Sequence, residues 1–194
     1  AVAEDGMTRM RDALRNGVME QELWALIWTA LIAGGGEWLD YRLIASGERT
    51  NPWQQEASSR MIRAGDLVVF DCGMVGPFSY GADISRAFRC GPGRPSDYQK
   101  SLYTMAHAEV MENTKLVQNG AAYSEIARNR HLPPAGFGDQ PYPCMMHGLG
   151  MADEWPVILH SLDNPEFYDD ELESGMVICV ESYIGEIGGV EGVK

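Results

Sequence analysis

The 194-residue chain lacks any apolar run approaching the roughly 18 residues that a transmembrane helix needs. Its longest candidate, Leu23 to Ala33, reads as the core side of a helix. Basic residues are scarce: 15 Lys and Arg stand against 28 Asp and Glu, for a formal net charge of −13 and a pI ≈ 4.6. Such a field repels polyanions, which argues against nucleic acid or an anionic membrane surface as partner, although plain solubility accounts for the charge equally well. Paired cysteine spacing is absent too. Cys72, Cys90, Cys144 and Cys179 are scattered, two of them beside core strands, and read as reduced, buried thiols of a cytoplasmic protein rather than a disulfide or metal-thiolate framework. No basic segment leads into an apolar one with a cleavage site, and no internal repeat of about 20–50 residues is legible.

What is present is a globular composition, 45% hydrophobic, with room for one sizeable core. Met7 to Arg15 predicts a short helix closed by Asn16-Gly17, and Glu20 to Ala33 a second, with Leu23, Leu26, Ile27, Ala30 and Leu31 on one face and Gly34-Gly35-Gly36 as its stop. Tyr41 to Ala45 and Leu67 to Asp71 read as strands, with Ile84 to Cys90 pairing across a loop from Gly73 to Gly81. Ser96 to about Val117 gives the longest helix and Ser124 to Arg130 a short one. Hairpins alternating with long helices imply an α+β fold: one curved, mostly antiparallel sheet with helices on its outer face.

The chemistry concentrates in four residues. Asp71 follows Val68-Val69-Phe70, Asp83 lies twelve positions on, His147 opens His-Gly-Leu-Gly, and Glu181 closes Met176-Val177-Ile178-Cys179-Val180. An unpaired carboxylate at a core strand costs several kcal/mol, so each acid implies a positive partner. A single strand-end acid more often caps a turn or meets an arginine. Three acids and one imidazole in this order suit the donor set that a pair of hard divalent ions requires.

These residues, with Ser85-Arg86, Gly148-Leu149-Gly150 and Leu172-Glu173-Ser174-Gly175-Met176-Val177, resemble the pita-bread metallopeptidase superfamily of aminopeptidase P, prolidase and creatinase. The resemblance covers the whole chain and implies a dinuclear site held by Asp71, Asp83, His147 and Glu181, with the family's fifth ligand falling beyond Lys194. Both ends then read as cut, residues 1–194 forming one catalytic domain of a larger protein. Peptidases of this fold carry histidines where this sequence has Trp53 and Glu154. Losing both removes donors that would stabilise an oxyanion, each worth several kcal/mol.

The segments Asn51-Pro52-Trp53, Tyr142-Pro143-Cys144-Met145-Met146-His147 and Asp153-Glu154-Trp155-Pro156 resemble instead the dimethylsulfoniopropionate lyases built on this fold. That resemblance implies Asp153 as the base, Tyr142 as an orienting group, and Asp83 acting at the metal and near the substrate. Trp53, Tyr80, Tyr142 and Trp155 would supply aromatic faces for a sulfonium at about 0.5–2 kcal/mol each, or simply pack. It further implies iron, with manganese, zinc and cobalt as alternatives, a small-molecule substrate and a homodimer. Gly73 stands where the lyase pattern carries a further acid and matches the peptidase pattern instead. A hydrolase of a small amide or creatine-like substrate and a non-catalytic binding homologue remain the competing readings. His107, His131 and His160 are read as surface or packing residues.

Overall fold

The computed structural model describes residues 1–194, the side chain of Glu154 excepted. Two helices, α1 (Val2–Ala13) and α2 (Glu20–Ala33), pack together ahead of the first strands. The Glu22 carboxylate accepts the Met19 N–H at 2.8 Å and closes the start of α2; the glycine run ends it, with Gly35 at φ +81°. Strands β1 (Trp38–Leu39) and β2 (Leu43–Ser46) pair with successive stretches of β3 (Leu67–Val75), and β4 (Gly81–Arg89) pairs with its other edge along its whole length. All of these pairings are antiparallel.

Strand β3 explains how one sequence run serves both core and site. Its alternate residues Val68, Phe70, Cys72 and Met74 enter a cluster with Met7, Met10, Leu23, Ile27 and Leu31 of the two helices. Successive side chains of a strand leave opposite faces, so Val69, Asp71 and Gly73 look the other way. The strand is thus buried on both sides, and truncating Phe70, which is 1% exposed, to Ala would cost about 3–5 kcal/mol.

Helix α3 (Asp97–Thr114) starts at a reciprocal cap, Gln99 N donating to Ser96 Oγ at 3.1 Å while Ser96 N donates to Gln99 Oε1 at 3.0 Å. After α4 (Tyr123–Asn129) the chain builds a second sheet in the order β6 (Asp153–Ile158), β5 (Met146–Leu149), β7 (Ile178–Val180). A register shift between His147 and Gly148 breaks the β5–β6 ladder at the imidazole, a common device beside functional sites. Strands β8 (Ile184–Gly185) and β9 (Gly192–Val193) form a short pair that delivers Lys194.

The α+β class, the antiparallel pairing and the helix from Glu20 to Ala33 follow the sequence reading. Hydrogen bonding divides the strands into three sheets rather than one. The strand expected from Tyr41 begins only at Leu43, and the one expected to stop at Asp71 runs on to Val75, because β1 and β4 both offer partners there. Gly73 therefore lies in a strand and not in a loop. Met176 and Val177 are 42% and 45% exposed, so the run before Glu181 is only half-buried and its strand is shorter than expected. No described helix is long and apolar enough to cross a membrane.

Candidate metal centre

Asp71 from the middle of β3, Asp83 from β4, His147 from β5 and Glu181 just after β7 converge from the two larger sheets. The register of β3 and β4 sets Asp83 opposite Gly73, so the two aspartates share the face turned away from α1 and α2. The His147 Nε2 lies 3.2 Å from Asp83 Oδ2 and 3.5 Å from Glu181 Oε1. Its Nδ1 sits 2.9 Å from the Gly148 carbonyl, which fixes Nδ1 as the donor and turns Nε2 toward the acids. Burial pulls the imidazole pKa down, but the Asp83 hydrogen bond and the Gly148 carbonyl outweigh it and leave the pKa above the ordinary histidine value.

Asp71 is the most enclosed of the acids, its side chain 1% exposed. Burial pushes its carboxyl up to about 6; Lys194 opposes this and Asp83 adds to it. Tyr142 donates its hydroxyl to Asp71 Oδ2 at 3.3 Å, while Asp71 Oδ1 is buried without any hydrogen-bond partner. An orphaned, buried carboxylate oxygen beside two further acids and an aimed imidazole nitrogen fits a divalent cation. Asp71, Asp83, His147 and Glu181 are the residues that could hold one.

Three residues that the sequence reading left out stand in this site. The Lys194 ammonium, 1% exposed, pairs with Glu181, lies 3.5 Å from Asp71 Oδ2 and sits 3.8 Å over the Tyr142 ring. Cys179 faces His147 across the β5–β7 pair, and its Sγ, an Asp83 oxygen and a His147 nitrogen all lie within 4.8 Å of one another. Spacing two before Glu181 was the available signal, since period-2 alternation puts both on one face. Burial, then Asp83 and Asp153, push this thiol up to about 12. Tyr41 donates its hydroxyl to Asp153, an exposed carboxylate close enough to the cluster to act electrostatically on His147, Cys144 and Cys179.

The four aromatic candidates do not share one place. Trp53 is 8% exposed, stacks on Tyr183 at 6.1 Å and shares an apolar cluster with Tyr41 and Tyr142; its indole N–H has no partner. Tyr80 is 55% exposed, and Trp155, 68% exposed, sets its ring edge-on to Tyr168 at 4.8 Å. His160 holds its Nε2 2.9 Å from the Tyr142 carbonyl, a packing role as expected. His107 stacks on Tyr103. The Glu154 side chain lies outside what is described.

Antiparallel sheets presenting buried carboxylates and one oriented imidazole, with helices behind them, form a scaffold on which a divalent cation could be held. The chain belongs to metallopeptidase family M24, whose model matches residues 1–194. It is 37% identical over 186 residues to the dimethylsulfoniopropionate lyase DddP of Roseovarius nubinhibens, covering 95% of this chain and 42% of that protein. It is 30% identical over 196 residues to the Xaa-Pro dipeptidase of Pyrococcus horikoshii, covering 97% of this chain and 53% of that one. The crystal structure of the prolidase from Pyrococcus horikoshii superposes with a TM-score of 0.84 at 26% identity, over 99% of this chain and 54% of the other. The chain thus spans about half the length of the relatives it matches.

Proposed function

We propose that residues 1–194 form the metallopeptidase-like catalytic domain of a lyase that cleaves dimethylsulfoniopropionate to dimethyl sulfide and acrylate. The observation that carries the reading is Asp153: a carboxylate outside the buried cluster, near enough to act electrostatically on His147, and held in place by a phenol. The 37% identity to a lyase, against 30% to a dipeptidase, supports the same choice. Fold alone would not decide it.

Asp71, Asp83, His147 and Glu181 would hold a divalent pair, with iron favoured over manganese, zinc and cobalt. When bound, that pair supplies Lewis-acid polarisation of the substrate carboxylate and lowers the cost of charge at the adjacent carbon. Asp153 removes the proton α to the carboxylate. The C–H electron pair becomes the new carbon–carbon double bond, the C–S bond breaks toward sulfur, and a neutral thioether leaves. Tyr142, anchored on Asp71, orients the carboxylate end, and Asp83 would serve both as a metal ligand and near the substrate. Trp53 gives a largely apolar wall whose indole N–H can donate a hydrogen bond but cannot exchange a proton as a histidine would. Tyr80 and Trp155, on the exposed side, are assigned to the sulfonium end.

A metal-dependent hydrolase of Xaa-Pro peptides or a creatine-like substrate is the second reading, favoured by the prolidase likeness. Metal-loaded protein carrying this chain should release dimethyl sulfide and acrylate, read by gas chromatography and NMR. Cleavage of a prolyl dipeptide without either product would establish the hydrolase. We further propose a homodimer in the cytoplasm.

A further inference from the structure

Gly73 leaves a volume beside Asp71 that a residue distant in sequence fills. It lies two residues after Asp71 on the acid-bearing face of β3, directly opposite Asp83. A Cβ placed on Gly73 would meet Tyr41 Cε2 at 2.6 Å, Cζ at 2.9 Å and Oη at 3.0 Å. The phenol ring therefore occupies the volume that any side chain at this position needs. Tyr41 is free to do so because β2 begins only at Leu43, leaving its ring to pack beside the cluster of Leu43, Ala45, Trp53, Val69 and Tyr183. Its hydroxyl then reaches Asp153, 112 positions away in sequence.

We propose that Tyr41 is a positioning residue for Asp153 and that Gly73 exists to admit it. A side chain at position 73 and the phenol at Tyr41 exclude one another, so the bare Gly73 beside Asp71 is what lets a hydrogen-bond donor reach the base. The arrangement has two chemical consequences. The Asp153 carboxylate is pinned at the rim, where it meets the substrate carbon, and is kept from swinging inward to become another oxygen ligand. It also accepts one strong hydrogen bond, so one oxygen is committed to Tyr41 and the other is presented to substrate. This inference rests on the lyase reading, in which Asp153 is the base.

The test is a set of kinetic variants in the protein carrying this chain, each checked for metal content. Tyr41→Phe keeps the ring over Gly73 and removes only the hydroxyl. It is expected to lower kcat on dimethylsulfoniopropionate about 10–100-fold, the range of a positioned proton-transfer partner, with KM within about two-fold and metal content unchanged. Gly73→Ala displaces the ring from the other side and should give the same kinetic signature. Added to Tyr41→Ala it should cost nothing more, because the group it displaces is already gone. Unchanged kcat in Tyr41→Phe, or additive losses in the double variant, would overturn the inference. A wild-type protein that forms no dimethyl sulfide would sink the lyase reading instead, so the two failures are told apart.

Discussion

The Lys194 ammonium is ion-paired with the Glu181 carboxylate inside the site, with the two side chains 1% and 7% exposed. Removing one member of a buried pair leaves the other charge unpaired, which costs about 3–5 kcal/mol. Here a second neighbour, Asp71, lies 3.5 Å from the same ammonium. Lys194→Met should therefore destabilise the metal-free protein strongly. A divalent ion would replace the lost positive charge, so the melting temperature gained on adding manganese or cobalt should be larger in the variant than in wild type. Equal gains would show that Lys194 and the metal do not share acids.

The buried Asp71 predicts a pH dependence of known sign. Its carboxyl titrates near 6 in the fold, against 3.8 ordinarily, chiefly because burial disfavours the charge. A group with a raised folded value contributes stability that is complete below 3.8 and is lost as pH climbs through about 6. Metal-free Asp71→Asn should lose this component, so the stability difference between variant and wild type, followed by denaturant melts from pH 4 to pH 7.5, should move in favour of the variant across that window. A difference that is flat with pH would refute the assignment.

Much of this architecture is written in local sequence, and the remainder is written in pairing. The Glu20–Ala33 helix is legible because its apolar period, its Glu22 cap and its glycine stop are all local. The convergence of Asp71, Asp83, His147 and Glu181 is legible because these residues sit in or beside recognisable strand-like runs. Tyr41, Cys179 and Lys194 are not. Tyr41 matters only because the chain returns to it at Asp153, Cys179 only because β7 pairs in register with His147, and Lys194 only because β9 is anchored on β8. The packing of Trp155 is equally illegible: the sequence places it beside a motif, and only the fold sets its ring edge-on to Tyr168.

Cys179 offers a chemical probe of the site's negative field. Burial and then the Asp83 and Asp153 charges hold its thiol near 12, so almost none of it is thiolate at pH 8. Alkylation of Cys179 in the metal-free protein should be slow, and Asp83→Asn, which removes a neighbouring negative charge, should speed it several-fold. Site-resolved mass spectrometry after timed iodoacetamide treatment reads the rate. A slower reaction in Asp83→Asn would mean that the carboxylate activates the thiol rather than suppressing it.

The division of labour among the acids gives the most direct test of mechanism. Asp71, Asp83 and Glu181 lie in the buried cluster with His147, whereas Asp153 is exposed and bonded to Tyr41. A base that is not a ligand should be separable from metal binding. Asp153→Asn keeps the shape and still accepts the Tyr41 hydroxyl but cannot take a proton. It should lower kcat by about 10²–10⁴ while metal per chain, measured by inductively coupled plasma mass spectrometry, stays at the wild-type level. Asp83→Asn should lose activity and metal together, because its carboxylate faces His147 Nε2 at 3.2 Å. Loss of metal from Asp153→Asn would move that residue into the ligand set and leave the elimination without its base.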